Sequence, residues 1–471
     1  MTVQTGEISK LLSPIPTVEQ LDIPAGLVQD IIFRLMFNEG DANVARIVDV
    51  LGVHPRVVDE LMGRLKHEHL VEITRAGSLG SMSFTYGLTE AGVKRARDAF
   101  GRSHYVGRLP VSLEAYTRAV RLQSHGAKRI TPEQVKAALS HLILPDNFHR
   151  RIGPAANSGS SLFLYGPPGN GKSTIAQAIA DILSQEEAIW LPDAITVGGQ
   201  IIRIIDPHVH EPIREEEVPR HTTDFALHGH TGKLKVDNRW RLFKRPALMV
   251  GGELTMEALD LRLEPVSKVY EAPLQLKANG GIFIIDDFGR QQISPQQLLN
   301  RWIVPLETGI DFLRLQSGQS LEVPFDQLIV FSTNLNPMDL VDEAFLRRIQ
   351  TKVAVTPPDE RLFYQIFTRV CRTYDVPFDK KSFIYLLQKW YREPGRAMQA
   401  VHPRDLVKTV LSICAYENIL ARLTPELIDE ACMSYFVDAD LTGRQPPADA
   451  VMGVHTNGVN GAKAAVANGR A

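Results

Sequence analysis

The stretch that most constrains what this chain can fold into is 166-GPPGNGKST-174. A short apolar segment, SLFLYG, leads into it, and a segment of helical periodicity, STIAQAIADILSQ, follows it. The pattern G-x-x-x-x-G-K-[ST] between a strand and a helix is typical of a loop that wraps nucleotide phosphates. Its glycines allow a tight turn that aims backbone N–H groups at phosphate oxygens, and the positive end of the following helix strengthens the attraction.

The side chains of this loop indicate a nucleotide bound together with a divalent cation, for which we predict Mg²⁺. We expect Lys172 to reach the β- and γ-phosphates and Ser173 to ligate the metal. The residues predicted to surround the nucleotide are Gly166, Pro167, Pro168, Gly169, Asn170, Gly171, Lys172, Ser173 and Thr174, with Arg404 from the C-terminal region.

A second stretch, 281-GIFIIDDFGR-290, has an apolar run that predicts a buried strand and then two adjacent carboxylates. A chance acidic loop is the alternative interpretation. Because a bound divalent cation offsets the repulsion between two carboxylates, the pair fits a nucleotide site. We expect Asp286 to join Ser173 in holding Mg²⁺ and Asp287, where Glu is more usual, to polarise the attacking water.

Three later features carry further candidates for the same site. The segment 327-QLIVFSTN-334 predicts a strand beside the carboxylate strand, which would bring Asn334 to the γ-phosphate and the water. In 342-DEAFLRRIQ-350, Arg347 or Arg348 is a candidate arginine finger donated to a neighbouring subunit, although an arginine pair is also ordinary on a surface. Arg404, which follows Pro403 at a predicted helix start, is a candidate for closing onto the phosphates.

Taken in order, GPPGNGKST, IFIIDDFG, STN, AFLRRI and HPRDL resemble the phosphate loop, the Mg²⁺-carboxylate strand, sensor 1, the arginine finger and sensor 2 of the AAA+ ATPase superfamily. The resemblance covers roughly residues 140–440. It implies an α/β P-loop nucleotide domain with a parallel sheet, a helical lid, and a homo-oligomeric ring, often a hexamer, with ATP at the subunit interfaces.

The segment 307-ETGIDFLRLQSGQSLEVPF-325 predicts a β-hairpin directly before the Asn334 strand. In this respect the chain is similar to the AAA+ branch that has a hairpin before sensor 1, which includes MoxR and magnesium-chelatase-type proteins, sigma-54 activators and MCM proteins. The resemblance implies a hairpin that faces the ring pore.

Composition and periodicity divide the whole chain into segments. The predicted segments are a flexible leader (1–20), a winged helix-turn-helix domain (21–104), a helical connector (105–140), an α/β ATPase domain (141–358) with a β-rich insertion (about 195–270), a helical lid (359–443) and a disordered tail (444–471). The winged-helix prediction rests on three helical segments, then two short strands around a Gly/Ser turn, then a closing helix.

A winged helix indicates DNA binding or protein docking, and charge distinguishes these alternatives only in part. The third predicted helix carries Arg56, Arg64 and Lys66 together with three acidic residues. The whole chain has a net charge of −2, so no broad basic surface is expected.

The predicted insertion separates the two nucleotide motifs and contains two ambiguous groups. Its five histidines indicate either a zinc site or ordinary hydrogen-bonding residues, and they are His208, His210, His221, His228 and His230. Its basic and aromatic residues indicate either a surface that stacks nucleic-acid bases or a packed strand, and they are Trp240, Arg241, Phe243, Lys244 and Arg245.

No apolar run approaches the ~18 residues of a membrane span, and no export signal begins the chain. The three cysteines are widely separated, which favours a reducing compartment, so we expect a cytoplasmic protein. The function that we predict is ATP-driven remodelling of a macromolecular client, with a protein client favoured. The alternatives are a DNA-associated motor, such as a helicase loader, initiator or transcription regulator, and a signalling switch that binds ATP and barely hydrolyses it.

Overall fold

The computed structural model describes residues 2–76, 83–124, 130–159, 161–186, 188–214, 236–340 and 346–436. The chain divides into two compact units. The first unit comprises Met1–Ile366 and Met398–Val401, and the second comprises Phe367–Ala397 and His402–Ala471. No helix in the described part of the chain combines the length and the apolar character that crossing a membrane requires.

The helices are named in chain order. They are α1 (Thr2–Leu11), α2 (Ala25–Glu39), α3 (Val44–Leu51), α4 (Pro55–His67), α5 (Glu90–Arg102), α6 (Leu113–Leu122), α7 (Pro132–Ala138), α8 (Phe148–Ser158), α9 (Lys172–Glu186), α10 (Leu274–Lys277), α11 (Pro295–Thr308), α12 (Pro337–Leu340), α13 (Glu360–Thr373), α14 (Lys380–Leu386), α15 (His402–Glu417) and α16 (Pro425–Tyr435). Short 3₁₀ helices span Val18–Gln20 and Glu257–Leu259, and a π-helix spans Leu387–Arg392.

The strands follow the same convention. They are β1 (Ala42–Asn43), β2 (Val71–Arg75), β3 (Thr85–Leu88), β4 (Val111–Ser112), β5 (Ser161–Tyr165), β6 (Ile189–Pro192), β7 (Ala194–Val197), β8 (Gln200–Arg203), β9 (Trp240–Phe243), β10 (Ala247–Val250), β11 (Arg262–Glu264), β12 (Val269–Glu271), β13 (Ile282–Ile285), β14 (Ile310–Arg314), β15 (Ser320–Pro324), β16 (Leu328–Thr333) and β17 (Thr351–Ala354).

A five-stranded parallel sheet in the order β10-β13-β16-β5-β17 forms the centre of the first unit and confirms the α/β prediction. Its three inner strands, β13, β16 and β5, are almost entirely buried because helices cover both faces of the sheet. Ile282 and Ile284 point towards α8 and α9, whereas Phe283 and Ile285 point towards α11, as the two-residue side-chain period of a strand requires.

The predicted insertion of about 195–270 is not a single separate module. β7, β8, β11 and β12 form a second sheet with β4, which comes from the predicted helical connector. β10, however, pairs in parallel with the carboxylate strand β13 and so belongs to the central sheet. The prediction was wrong here because β10 has only four residues, of which just Leu248 and Val250 are buried, and such a strand gives a weak sequence signal.

The hairpin predicted at 307–325 is confirmed by the antiparallel pairing of β14 with β15. One of its faces is buried, because Leu313, Leu321 and Val323 pack in one apolar cluster with Tyr116 of α6 and Ile202 of β8. The hairpin is therefore attached along one face to the second sheet.

The N-terminal part contains α2 to α5 and an antiparallel sheet of β1, β3 and β2. The predicted wing turn lies largely outside the described residues, and the winged-helix assignment stays a prediction. The flexible leader predicted for 1–20 is wrong, because α1 is helical and Leu12 is fully buried beside Val120 and Trp190. Ile8, Leu11 and Leu12 form an apolar stripe that this packing covers.

The described residues of the second unit are mainly helical, and this unit starts at Phe367, whereas the predicted lid starts at residue 359. The preceding residues stay with the first unit because Leu362 and Ile366 line a cavity there together with Val355. The tail predicted to be disordered, 444–471, lies outside the described residues.

A buried arginine links three segments that the sequence analysis treated separately. Arg239 donates from Nη1 to Asp22 at 2.6 Å and to the carbonyl oxygen of Pro110 at 3.4 Å, and its Nη2 lies 2.7 Å from Asp237. The side chains of Arg239 and Asp237 are only 2% and 4% exposed. The ion pair thus joins the N-terminal region, the connector and the insertion inside the first unit.

We expect Arg239→Ala to lower the free energy of unfolding by about 3–5 kcal/mol, because Asp237 would remain buried without its counter-charge. Urea denaturation followed by tryptophan fluorescence measures the change. The matched control is Arg241→Ala, whose side chain is 37% exposed and paired with Asp193, and whose loss is worth about 0–1 kcal/mol. Equal losses in the two variants would contradict a structural role for the buried pair.

Candidate nucleotide site

The phosphate-binding motif forms the loop between β5 and α9, at the carboxyl end of an interior strand of the central sheet. Gly166 has φ +139°, and a Cβ atom there would overlap the carbonyl oxygen of Val355. Ser173 and Thr174 are exposed in the first turn of α9. The backbone thus forms a tight loop at a helix N-terminus, an arrangement that binds anions.

Lys172 is buried within this loop, with 6% of its surface exposed. Its Nζ donates to the carbonyl oxygens of Gly166 at 2.8 Å and Pro167 at 2.9 Å. Burial lowers the pKa of Lys172, and the nearby carboxylates of Asp287 and Asp286 oppose that shift. The ammonium group is therefore held against two backbone carbonyls of its own loop.

The carboxylate pair follows β13 and is held by strands on both sides. The N–H of Asp286 donates to the carbonyl oxygen of Val250 at 2.8 Å, and the N–H of Phe288 donates to that of Ser332 at 2.7 Å. Thr333 also donates its hydroxyl to the carbonyl oxygen of Phe288 at 2.6 Å. These bonds fix the direction in which the two carboxylates leave the sheet.

The backbone of Asp287 is left-handed, with φ +48°. Asp and Asn adopt this conformation more readily than longer side chains, because a short polar group can bond locally. This conformation gives a physical reason for the Asp at position 287, where nucleotide-hydrolysing enzymes more often have Glu.

Gln291 braces the left-handed turn and was missed by the sequence analysis. Its Nε2 donates to the carbonyl oxygens of Asp286 at 2.9 Å and Asp287 at 3.2 Å, and its Oε1 accepts from the N–H of Gly289 at 2.8 Å. Nothing in the one-dimensional pattern distinguishes Gln291 from its neighbour Gln292.

Asn334 lies at the end of β16, which is adjacent to β13 as the sequence predicted. Its Nδ2 donates to Oδ1 of Asp287 at 2.8 Å. The amide therefore orients the carboxylate that is the candidate for activating water. Its contact with a γ-phosphate stays a prediction.

The two candidate arginine fingers have different surroundings. Arg348 donates from Nε to Glu307 of the same chain at 2.5 Å and is half-buried. Arg347 is exposed, and the residues that precede the pair, 341–345, lie outside the described residues. Arg404 is exposed in the first turn of α15 in the second unit, where it donates to Asp405 at 2.9 Å.

A cavity of about 380 Å³ adjoins the phosphate loop. The sequence patterns did not predict it. It is mostly apolar, and its lining residues come from the segment before α8, from the loop, and from the chain after β17. They are Ile143, Leu144, Pro145, Asn147, Phe148, Arg151, Asn170, Ala354, Val355, Thr356, Pro357, Pro358, Asp359, Leu362, Ile366 and Ala400. Its size and apolar lining suit a small flat ligand.

The aromatic residues of the insertion take the less specific of their two interpretations, and the histidines are described only in part. Trp240 and Phe243 are buried at 3% and 1% exposure, so these aromatic rings belong to the core and do not stack nucleic-acid bases. His210 is buried, with Nδ1 close to backbone atoms of Asp206, and the described residues contain no group of three metal-binding side chains. His221, His228 and His230 lie outside the described residues.

The chemistry of the remaining oxygen donors suits Mg²⁺, which prefers carboxylate and hydroxyl ligands. Ser173 follows Lys172 at the start of α9, and Asp286 directly follows β13, a strand of the sheet that also contains β5. Ser173 and Asp286 are therefore suitable candidates for the metal ligands.

Comparisons with known proteins give one family match and several distant structural likenesses. Residues 359–434 match a family described as a domain of unknown function (DUF8689). No curated protein matches the chain. A point mutant of RuvB from Thermotoga maritima is 15% identical, over 66% of this chain and 72% of that chain, with a TM-score of 0.33. NtrX from Brucella abortus is 13% identical, over 72% of this chain and 67% of that chain, with a TM-score of 0.36.

We expect Gln291→Ala to lower any nucleotide hydrolysis by about tenfold, because misplacing a reacting group by ~1 Å can cost up to ~10² in rate. Steady-state phosphate release measures the effect. Gln292→Ala is the matched control, since its side chain is exposed and next in the chain. An unchanged rate in Gln291→Ala, with a folded protein, would show that the turn holds its shape without this amide.

Proposed function

We propose that this chain is an ATP-hydrolysing machine of the AAA+ superfamily that remodels a macromolecular client. The observation that carries the proposal is the meeting of three groups at adjacent strand ends. Lys172 follows β5, Asp286 and Asp287 follow β13, and Asn334 follows β16, which lies between the other two strands. The Asn334 to Asp287 bond and the influence of both carboxylates on Lys172 support one shared site.

Each residue has a definite role in this proposal. The loop N–H groups and Lys172 bind the phosphates, and Ser173 and Asp286 hold Mg²⁺. When bound, Mg²⁺ neutralises the charge that develops on the phosphates. Asp287 accepts a hydrogen bond from the attacking water, while Asn334 keeps that carboxylate in its orientation.

The cavity beside the loop takes the adenine base. Its apolar lining, which includes Ile143, Phe148 and Leu362, matches the faces of a flat aromatic ligand. Because Asn170 belongs both to the cavity lining and to the phosphate loop, base and phosphates bind side by side.

The active form is a homo-oligomeric ring, in which Arg347 completes the site of the neighbouring subunit. Arg347 is the candidate that we favour because its side chain is exposed, whereas that of Arg348 is half-buried. An exposed arginine can stabilise transition-state charge in trans, a contribution worth 10³–10⁵ in rate where it has been measured.

The client that we favour is a protein, recruited by the N-terminal domain. In a DNA-binding winged helix the third helix would carry free positive charge. Here Arg64 of α4 donates to Glu19 at 2.6 Å and also pairs with Glu60, so its charge is compensated. A DNA-associated motor and an ATP-dependent switch are the rival functions.

Asp287→Asn is expected to bind ATP and lose at least about 10² in hydrolysis rate, because the isosteric amide cannot accept the proton of the water. The mutant oligomer should therefore hold its client, which mass spectrometry of the co-purified material would identify. Lys172→Ala, which removes phosphate binding, is the control for capture that does not depend on nucleotide.

Three outcomes would contradict parts of the proposal. Equal ATPase rates for wild type and Lys172→Ala would exclude the machine and favour a switch. Stimulation of the ATPase by DNA, with binding that weakens steeply as salt rises, would replace the protein client with DNA. Capture of the same material by both variants would show that the client does not depend on ATP.

Arg347→Ala should be inactive alone and should regain activity when it is mixed with Lys172→Ala subunits. Random mixing restores roughly a quarter of the sites, because half of the subunits keep a phosphate loop and half of their neighbours donate the arginine. Phosphate release after mixing measures the recovery. Arg348→Ala is the matched control and should stay active by itself, whereas the absence of recovery in the mixture would exclude donation in trans by Arg347.

A further inference from the structure

The end of helix α5 forms an exposed aromatic surface with the end of α2, in the N-terminal part of the first unit. The Phe100 ring of α5 makes edge-to-face contacts with two other rings, at centroid distances of 5.5 Å to Phe37 of α2 and 5.4 Å to His104. Phe37 is nevertheless 42% exposed. A group of neighbouring rings that stays open to solvent is typical of an interaction site.

A turn of the second sheet extends this aromatic surface. The N–H of His104 donates to the carbonyl oxygen of Ser267 at 2.7 Å, and Lys268 donates from Nζ to the carbonyl oxygen of Gly101 at 2.5 Å. These two bonds hold the turn between β11 and β12 against the end of α5. Val266 lies in that turn and is 73% exposed. Apolar groups from three separate segments of the chain are therefore exposed side by side.

A buried arginine fixes α2 and the end of α5 to each other. Arg34 of α2 is 1% exposed, and it donates from Nε to the carbonyl oxygen of Ala99 at 3.2 Å and from Nη1 to that of Tyr105 at 3.0 Å. Burial lowers the pKa of Arg34 to about 10, so the guanidinium stays protonated at neutral pH. Because its two acceptors lie next to Phe100 and His104 in the chain, the rings are held in place before a partner binds, which lowers the cost of binding.

Two cations adjoin the aromatic rings. Lys94, Arg97 and Phe100 follow one another at a spacing of three residues, which places them on one side of α5. Both cations are exposed, and among the described residues neither forms an ion pair or a hydrogen bond. The side of α5 that faces the core is formed by Gly92, Ala96 and Ala99.

The acidic residues nearest in sequence leave this positive charge in place. Glu39 at the end of α2 is already paired with Arg46 at 2.7 Å. Asp98 lies on the side of α5 that faces away from Phe100, as the helical period requires. We call this positively charged and aromatic region the α5 surface, and its residues are Phe37, Lys94, Arg97, Phe100, His104 and Val266.

We propose that the α5 surface is the site at which the N-terminal domain binds an acidic segment of a protein client. The inference rests on the proposed function and names the surface that recruits the client. A bulky apolar side chain of the client packs on the exposed rings and on Val266. Carboxylates beside it in the client sequence pair with Lys94 and Arg97, so the two surfaces are complementary in charge.

The composition of the α5 surface favours a protein over a nucleic acid. A DNA-binding protein commonly contacts ~6–10 phosphates and needs a matching number of cations. The α5 surface has only the two cations Lys94 and Arg97, and most of its other residues are apolar or aromatic. An apolar centre with charged groups at its rim is the usual arrangement of a protein–protein interface.

The test selects peptides on the full-length chain. Random peptides displayed on phage are selected for binding to the wild type, and the enriched sequences are determined. They should contain an apolar or aromatic side chain flanked by Asp or Glu. A synthetic copy of an enriched peptide, labelled with a fluorophore, then gives dissociation constants for the wild type and the variants.

Arg97→Glu should weaken binding of the selected peptide by about tenfold at low salt, and by less at high salt because exposed charges are screened. Phe37→Ala should weaken it by about tenfold at every salt concentration, because the apolar side chain of the peptide loses its contact. Arg95→Glu is the matched control. It makes the same charge reversal on the opposite side of α5 from Arg97, and it should leave the dissociation constant unchanged.

Three results would overturn the inference. The first is enrichment of no acidic peptide, or an equal loss of peptide affinity in Arg95→Glu and Arg97→Glu. The second is binding of duplex DNA that Arg97→Glu abolishes and Arg95→Glu does not, which would assign the α5 surface to DNA. The third is a smaller oligomer in Phe37→Ala, measured by light scattering, which would place the α5 surface between subunits.

Failure of the proposed function would look different. A wild-type protein that binds acidic peptides through the α5 surface without hydrolysing ATP would contradict the ATP-driven machine and leave the α5 surface as the docking site. A wild-type protein that hydrolyses ATP and selects no acidic peptide would overturn the docking site alone.

Discussion

The main-chain hydrogen bonds that hold β16 between β5 and β13 are the interaction on which the site depends. Register pairs Thr333 with Tyr165 on one side and Phe331 with Ile285 on the other. Because parallel strands end at one edge of the sheet, the loop after β5, the carboxylates after β13 and Asn334 after β16 leave the sheet together. A shift of β16 by one residue would turn each of its side chains, and Asn334 with them, to the opposite face of the sheet. Because β16 is packed into a buried core on both faces, that packing opposes the shift and so also fixes the position of Asn334.

Much of this arrangement could be predicted from the sequence because the signals were local. The loop motif, the apolar run before Asp286 and the polar end of the Asn334 strand each lie within ten residues, and their order along the chain limits how they can meet. Gln291 and the cavity gave no such signal, because each acts through residues that are distant in sequence or through backbone atoms. The error over α1 has the same origin. Its apolar stripe is short, so the isolated segment gives little sign of a stable helix. Packing against the surface around Val120 and Trp190 stabilises it.

The backbone conformation of Asp287 determines the direction in which its carboxylate points. Its left-handed backbone turns the side chain out of the strand direction, where the Asn334 amide reaches it. A regular extension of β13 would place successive side chains on opposite faces, so Asp286 and Asp287 would diverge. The turn braced by Gln291 replaces that regular extension and directs Asp287 towards Asn334.

The packing of the β14–β15 hairpin limits how it can move relative to the rest of the first unit. The hairpin β14–β15 is packed on the second sheet, and Arg239 ties that region to Asp22 at the N-terminal side. A hairpin that moved alone would expose Leu313, Leu321 and Val323, at roughly 1.5–3 kcal/mol for each side chain. Motion that starts at the carboxylate turn therefore costs less free energy when the hairpin, the second sheet and the N-terminal domain move as one body. In that case the N-terminal domain, which we propose recruits the client, and the hairpin keep a fixed distance during each cycle.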